Sequence, residues 1–263
     1  DITVENDPNS YAQGVVAGVV TYSSYYSDNS NITDTVISNC ENRGTITGGY
    51  DAGGVCEKTG SNVTVKNCIN TGTVTSLRGR AGGITCYGSG TTVEDSANLV
   101  TISGLKGAGG IAYRFEFSHS TSAERSGRWA GIIRNCYNAG TIYGGANSDY
   151  VAGIAASNSG SLSSTISPAI SNEIENCYNV GKINCEATGS SVRVGGIGGS
   201  HIQIVTATNL YYLDTSASAG IGYGLRASKT AAVAKTEEEL KSADFLASLG
   251  DGFKKDLGKI NNG

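Results

Sequence analysis

Seven cysteines (Cys40, Cys56, Cys68, Cys86, Cys136, Cys177 and Cys185) and two histidines (His119 and His201) carry the readiest chemistry in this 263-residue chain. A thiol becomes a nucleophile when a base lies in reach and its surroundings favour the thiolate. In the stretch NCYNAGTIYG, Cys136 sits between two asparagines and beside a tyrosine, but no His, Lys or Glu recurs next to the slot. Zinc binding is no better served, because there is no C-x-x-C pair and neither histidine stands at ligand spacing from one. An odd number of cysteines leaves at least one thiol free unless another chain supplies a partner, which excludes complete disulfide stapling. No catalytic residue, metal or cofactor is assigned.

Carboxylate pairs are the other route to chemistry, since glycoside hydrolases need two acids and polysaccharide lyases need clustered acids with calcium or a base. The acids Asp51, Glu57, Glu94, Asp95, Glu116, Glu124, Asp149, Glu173, Glu175 and Glu186 form no repeated motif. Glu116 with Glu124 or Asp149 is the grouping to test.

The cysteine words fall into register with one another. ISNCENRGTITG begins at Ile37, VKNCINTGTVTS at Val65, VEDSANLVTISG at Val93, IRNCYNAGTIYG at Ile133 and IENCYNVGKINC at Ile174, with a shorter echo, ATNLYYLD, at Ala207. A second word alternates with the first: VAGVV, DAGGVC, RAGGIT, GAGGIA, YVAGIA and RVGGIG. Such a repeat is the signature of a stacked architecture. Within one unit, VTVKN, GTVTS and AGGITCY alternate apolar and polar residues, the period of a half-buried strand. The reading is an all-β, right-handed parallel β-helix of about five to six coils, three strands to a coil, over residues 1–227. A β-propeller competes on repeat length, but 28-residue units are too short for four-stranded blades.

In a solenoid each coil position forms a column. Asn39, Asn67, Asp95, Asn135, Asn176 and Asn209 make one, and Asn42, Asn70, Asn98, Asn138 and Asn179 another; both read as corner ladders. The cysteine column is interrupted by Ser96 and Leu210, which marks it as buried filler. The AGGI glycines allow close backbone packing or positive φ. Thr45 with Thr47, Thr73 with Thr75, and Thr101 with Ser103 make outward rows resembling ice-binding threonine arrays, until Tyr143 and Lys182 break the pattern.

Two outward features are the candidate ligand-binding sites. Tyr137, Tyr178 and Tyr211 follow the cysteine position on successive coils and could stack on sugar rings or anchor a protein partner, or pack under a loop or under the C-terminal segment. Two insertions, 113–129 and 156–169, would project from one corner. The first holds Arg114, Glu116, His119 and Trp129.

Beyond Leu213 the words stop. Residues 228–263 read as a helical cap and tail, with Thr236 and Glu239 as a capping box and Gly250 as a stop, set to cover an open coil end. The net charge of −4 and pI near 5.2 offer no basic stripe for nucleic acid. No apolar run reaches the ~20 residues of a membrane span. The chain reads as a piece of a longer precursor.

The NCYNxGxI and VGGIxG words, with the closing LYYLDTS, resemble the GLUG-type repeats of bacterial cell-surface, adhesin-like proteins. The resemblance runs from Val16 to about Gly263. It implies a secreted or surface-attached bacterial solenoid and supplies no catalytic residues. The expected role is a noncatalytic spacer or adhesive module that binds host or dietary glycan or protein, with a β-helix polysaccharide-degrading enzyme as the alternative and ice binding as a minor one.

Overall fold

A computed structural model describes residues 2–4, 16–23, 35–116, 118–120, 127–158, 172–201, 204–224 and 232–254. Over these residues the chain is a parallel β-helix whose coils stack along four sheets. The unit from Val63 to Ser89 shows the plan. Val63–Lys66 and Ile69–Asn70 lie in sheet I, on either side of a bend at Asn67. Val74–Ser76 lies in sheet II, Arg80–Gly82 in sheet III and Thr85–Ser89 in sheet IV. Each strand pairs in parallel with its counterparts above and below: Val65 faces Ile37 and Val93, and Val74 faces Ile46 and Ile102. Five coils cross all four sheets, with partial coils at both ends.

The three-strand coil expected from the sequence is corrected to four sheets because the AGGI run is a corner rather than one strand. A Cβ on Gly82 would meet the Thr85 carbonyl oxygen at 1.9 Å, so the chain can double back there only without a side chain. A Cβ on Gly83 would meet the Gly110 carbonyl oxygen at 2.0 Å and the Asn98 side chain at 2.9 Å. Neither glycine has positive φ, so close approach is the reason for the pair.

The two asparagine columns do different things. Asn39, Asn67, Asp95, Asn135, Asn176 and Asn209 all hold φ between 49° and 56°, making the bend within sheet I. The second column is interior. Asn42, Asn70, Asn98 and Asn138 each donate Nδ2 to the Oδ1 of the next asparagine at 2.7 Å, ending on Asn179. This buried ladder meets the glycines of the III–IV corner and seams together two apolar clusters. One, between sheets I and IV, contains Val65, Ile84, Ile111, Ile133, Ile154 and Ile174. The other, between sheets II and III, contains Ile46, Val74, Ile102, Ile142 and Val151. Burying each aliphatic side chain contributes roughly 1.5–3 kcal/mol, repeated coil after coil.

The C-terminal expectation is also corrected. Ala232–Lys235 adds in parallel to Ile204–Leu213 and extends sheet I, inside the stretch assigned to the tail. The expected single helix is two: α1, Glu237–Leu240, and α2, Ala243–Ser248. Thr236 and Glu239 form the capping box, and Ser242 restarts the helix by accepting from the Phe245 amide. The helices fold back along the rod's flank instead of closing its end, because the apolar side carrying Phe245 finds aromatic partners there.

Candidate functional site

The cysteine column is interior, and its thiols are bonded to the backbone. Cys68, Cys136 and Cys177 donate Sγ to the carbonyl oxygens of Lys66, Arg134 and Glu175 at 3.2, 3.2 and 3.1 Å. Ser96 makes the same bond to Glu94 at 2.7 Å, which is why serine can hold the slot. All seven cysteines are free thiols. Burial pushes the Cys68 thiol up to about 11 and that of Cys136 well above the ordinary range, so neither is a thiolate near neutrality.

The tyrosine strip exists, and the chain's own C-terminus packs on it. Tyr137 and Tyr178 stack with centroids 5.1 Å apart and planes 5° from parallel. Phe245 of α2 meets Tyr178 and Tyr211 edge-on at 5.5 and 5.2 Å, and Phe253 lies 5.4 Å from Tyr178 and 6.4 Å from Tyr137.

The insertion residues are split by the structure. Arg114 and Glu116 stand on a sheet IV strand, Ala112–Glu116, rather than on a projecting loop, since buried Tyr113 and Phe115 anchor that stretch to the rod. Arg114 and Glu116 form an ion pair at 2.9 Å. Ser118–Ser120 and Gly127–Trp129 form an antiparallel hairpin with His119 opposite Arg128 and Trp129 opposite Ser118. The side chains of His119 and Trp129, and Glu124, lie outside the described residues, as do residues 159–169 of the second insertion. The threonine rows lie in register on sheet II, Thr3 to Thr47 to Thr75 to Ser103, and then give way to Tyr143 and Asn184.

A polar constellation lies outside both main clusters, where sheets III and IV fold toward each other. Arg80, the residue before AGG, bridges two tyrosines: Nε donates to the Tyr113 hydroxyl at 3.1 Å and a terminal nitrogen to the Tyr87 hydroxyl at 2.9 Å. Its guanidinium carbon stands 5.4 Å from the Tyr113 ring centre. The next position up sheet III is Gly107, at φ +145°, where a Cβ would meet the Tyr113 ring at 2.6 Å. Glycine therefore opens the berth in which Tyr113 crosses from one sheet to the other.

Two acids lie beneath. Asp51, 6% exposed, accepts from the Arg80 amide at 2.9 Å, and burial raises its pKa. Glu57, 5% exposed, is pushed up to about 7 by burial and then by the Asp51 charge, against the pull of Lys58. Cation–aromatic pairs flank this cluster, with Lys106 Nζ 5.0 Å from the Tyr50 ring in the bordering II–III turn and the Arg193 guanidinium of sheet III 4.7 Å from the Tyr223 ring of sheet IV. Sequence reasoning missed this cluster by reading the glycine words for their glycines alone. The residue ahead of each word, Arg80, Gly107, Tyr150 and Arg193, was the available signal.

Among the described residues no group of three or more His, Cys, Asp or Glu could hold a metal ion, and no helix is long and apolar enough to cross a membrane. Comparison with known proteins finds no matching family model, no matching curated protein and no matching solved structure.

Proposed function

We propose that this chain is a noncatalytic β-solenoid of a bacterial cell surface or secreted protein, a rigid spacer and adhesive module that binds glycan. One observation carries the reading. The residues that recur from coil to coil serve the rod: asparagine amides join one coil to the next, and cysteine thiols, or the Ser96 hydroxyl in their place, close onto backbone carbonyls. Tyrosines and cations that vary from coil to coil stand at least partly exposed beside sheets III and IV, as Lys106 does with Tyr50 and Arg193 with Tyr223. A repeated interior under a variable outer face suits recognition of an extended partner. The resemblance of the repeat words to GLUG-type surface repeats supports the same setting.

The test is to pass the chain over immobilised host, plant and mucin polysaccharides and assay released reducing ends in parallel. Saturable retention with no new reducing ends is expected. Depolymerisation, lost on Glu116→Gln, would replace this reading with the enzymatic one.

A further inference from the structure

We infer that the III–IV edge is a binding site for an acidic, uronate-type polysaccharide lying parallel to the rod axis. This rests on the glycan-binding reading and adds both the face and the ligand's charge. Each unit of such a polymer offers an apolar ring face and a carboxylate, which call for an aromatic surface and a cation. Both kinds of group stand on successive coils: Tyr50 and Lys106 in the II–III turn, with the Lys106 ammonium reaching back onto the Tyr50 ring, Arg80, Tyr150 and Arg193 at the start of sheet III, and Tyr87 and Tyr223 facing them from sheet IV. These groups span six consecutive coils, five steps of about 4.8 Å, or on the order of 24 Å along the rod.

Charge placement favours an anion. Overall the chain is acidic, at −4, yet here the cations are half-exposed while Asp51 and Glu57 are buried beneath them. Asp149 is the exposed acid nearby, its amide bonded to the Lys106 carbonyl at 3.2 Å. Each tyrosine in a cation pair is held by its partner, with Lys106 Nζ also donating to the Tyr50 hydroxyl at 3.3 Å. The surface is therefore ordered before a ligand arrives, which lowers the entropic cost of binding. A partner recognised by charge alone would have no use for the tyrosines, and a neutral glycan none for the cations.

The experiment measures retention on immobilised polygalacturonate, on a neutral polysaccharide and on polyglutamate. It compares the unmodified chain with Lys106→Gln/Arg193→Gln, with Tyr223→Ala, and with Lys241→Gln at the exposed C-cap of α1 as a control. Arg80 is left intact because it ties two tyrosines together, and circular dichroism checks that each variant is folded. The site predicts preference for polygalacturonate, weakened roughly tenfold by the double variant and weakened by Tyr223→Ala, falling with salt and unchanged by Lys241→Gln. Equal retention on polyglutamate would overturn it, as would polygalacturonate binding indifferent to both edge variants. Binding to the neutral polymer alone would overturn this site yet leave the glycan-binding reading standing. Retention on no polysaccharide would overturn both.

Discussion

Asn98 donates its side-chain amide to Asn138 at 2.7 Å across 40 residues of sequence, the same length as the Asn42–Asn70 and Asn70–Asn98 bonds made across 28. The longer unit therefore leaves the ladder spacing unchanged. Asn98 also donates to the Val100 carbonyl at 2.8 Å, so one side chain ties its own turn and the next coil together.

Replacing Asn98 with Leu should be among the most damaging single changes. It strands the Asn70 amide and the Asn138 carbonyl oxygen inside the rod and crowds Gly83, whose missing Cβ already leaves less than 3 Å to the Asn98 side chain. A loss of about 2–4 kcal/mol is expected, seen as a lower denaturation midpoint. Asn98→Asp should also destabilise, because it removes the donor while adding a buried charge.

Phe245 is the anchor of the C-terminal segment. Phe245→Ala should free α1 and α2 from the tyrosine strip at a cost of about 2–3 kcal/mol to the docked state. Hydrogen exchange should rise over residues 237–253 and stay unchanged over the coil at 63–89. Unchanged exchange over residues 237–253 in Phe245→Ala would mean that the segment is held by something other than these rings.

Glu57 sets a pH dependence whose sign follows from burial. Its folded pKa of about 7 lies above the ordinary value of 4.5, so the folded state holds the proton more tightly than the unfolded chain. The resulting stability is fully present below about 4.5 and is lost as pH rises through 7, a change of order 1–3 kcal/mol. Glu57→Gln should flatten the denaturation midpoint across that window, and a profile as steep as that of the unmodified chain would refute the assignment.

The parts of this fold that the sequence discloses are those in which a residue answers to its own column. The bend asparagines, from Asn39 to Asn209, announce their positive φ by type, and Ser96 and Leu210 reveal the cysteine slot as interior filler. Thr236 and Glu239 mark the helix start because capping is local. What stays hidden depends on contact between different columns. The III–IV corner exists because Gly82 and Gly83 meet atoms of the return strand and of the next coil, which the AGGI words do not display. Tyr113 over Gly107 beside Arg80 joins two different words, and Phe245 reaches its tyrosines from 34 residues beyond Tyr211, so neither pairing has a period to betray it.

The most direct discriminator between masonry and chemistry is the chain carrying Cys68→Ser, Cys136→Ser and Cys177→Ser together, assayed for polysaccharide retention beside the unmodified chain. Ser96 already fills this slot with its hydroxyl on the Glu94 carbonyl, so the triple variant should keep its β-rich circular dichroism and retain ligand within about twofold, with stability lowered by roughly 1 kcal/mol per site. A folded triple variant that no longer retains polysaccharide would place the function in the cysteine column and is incompatible with a purely structural role for it.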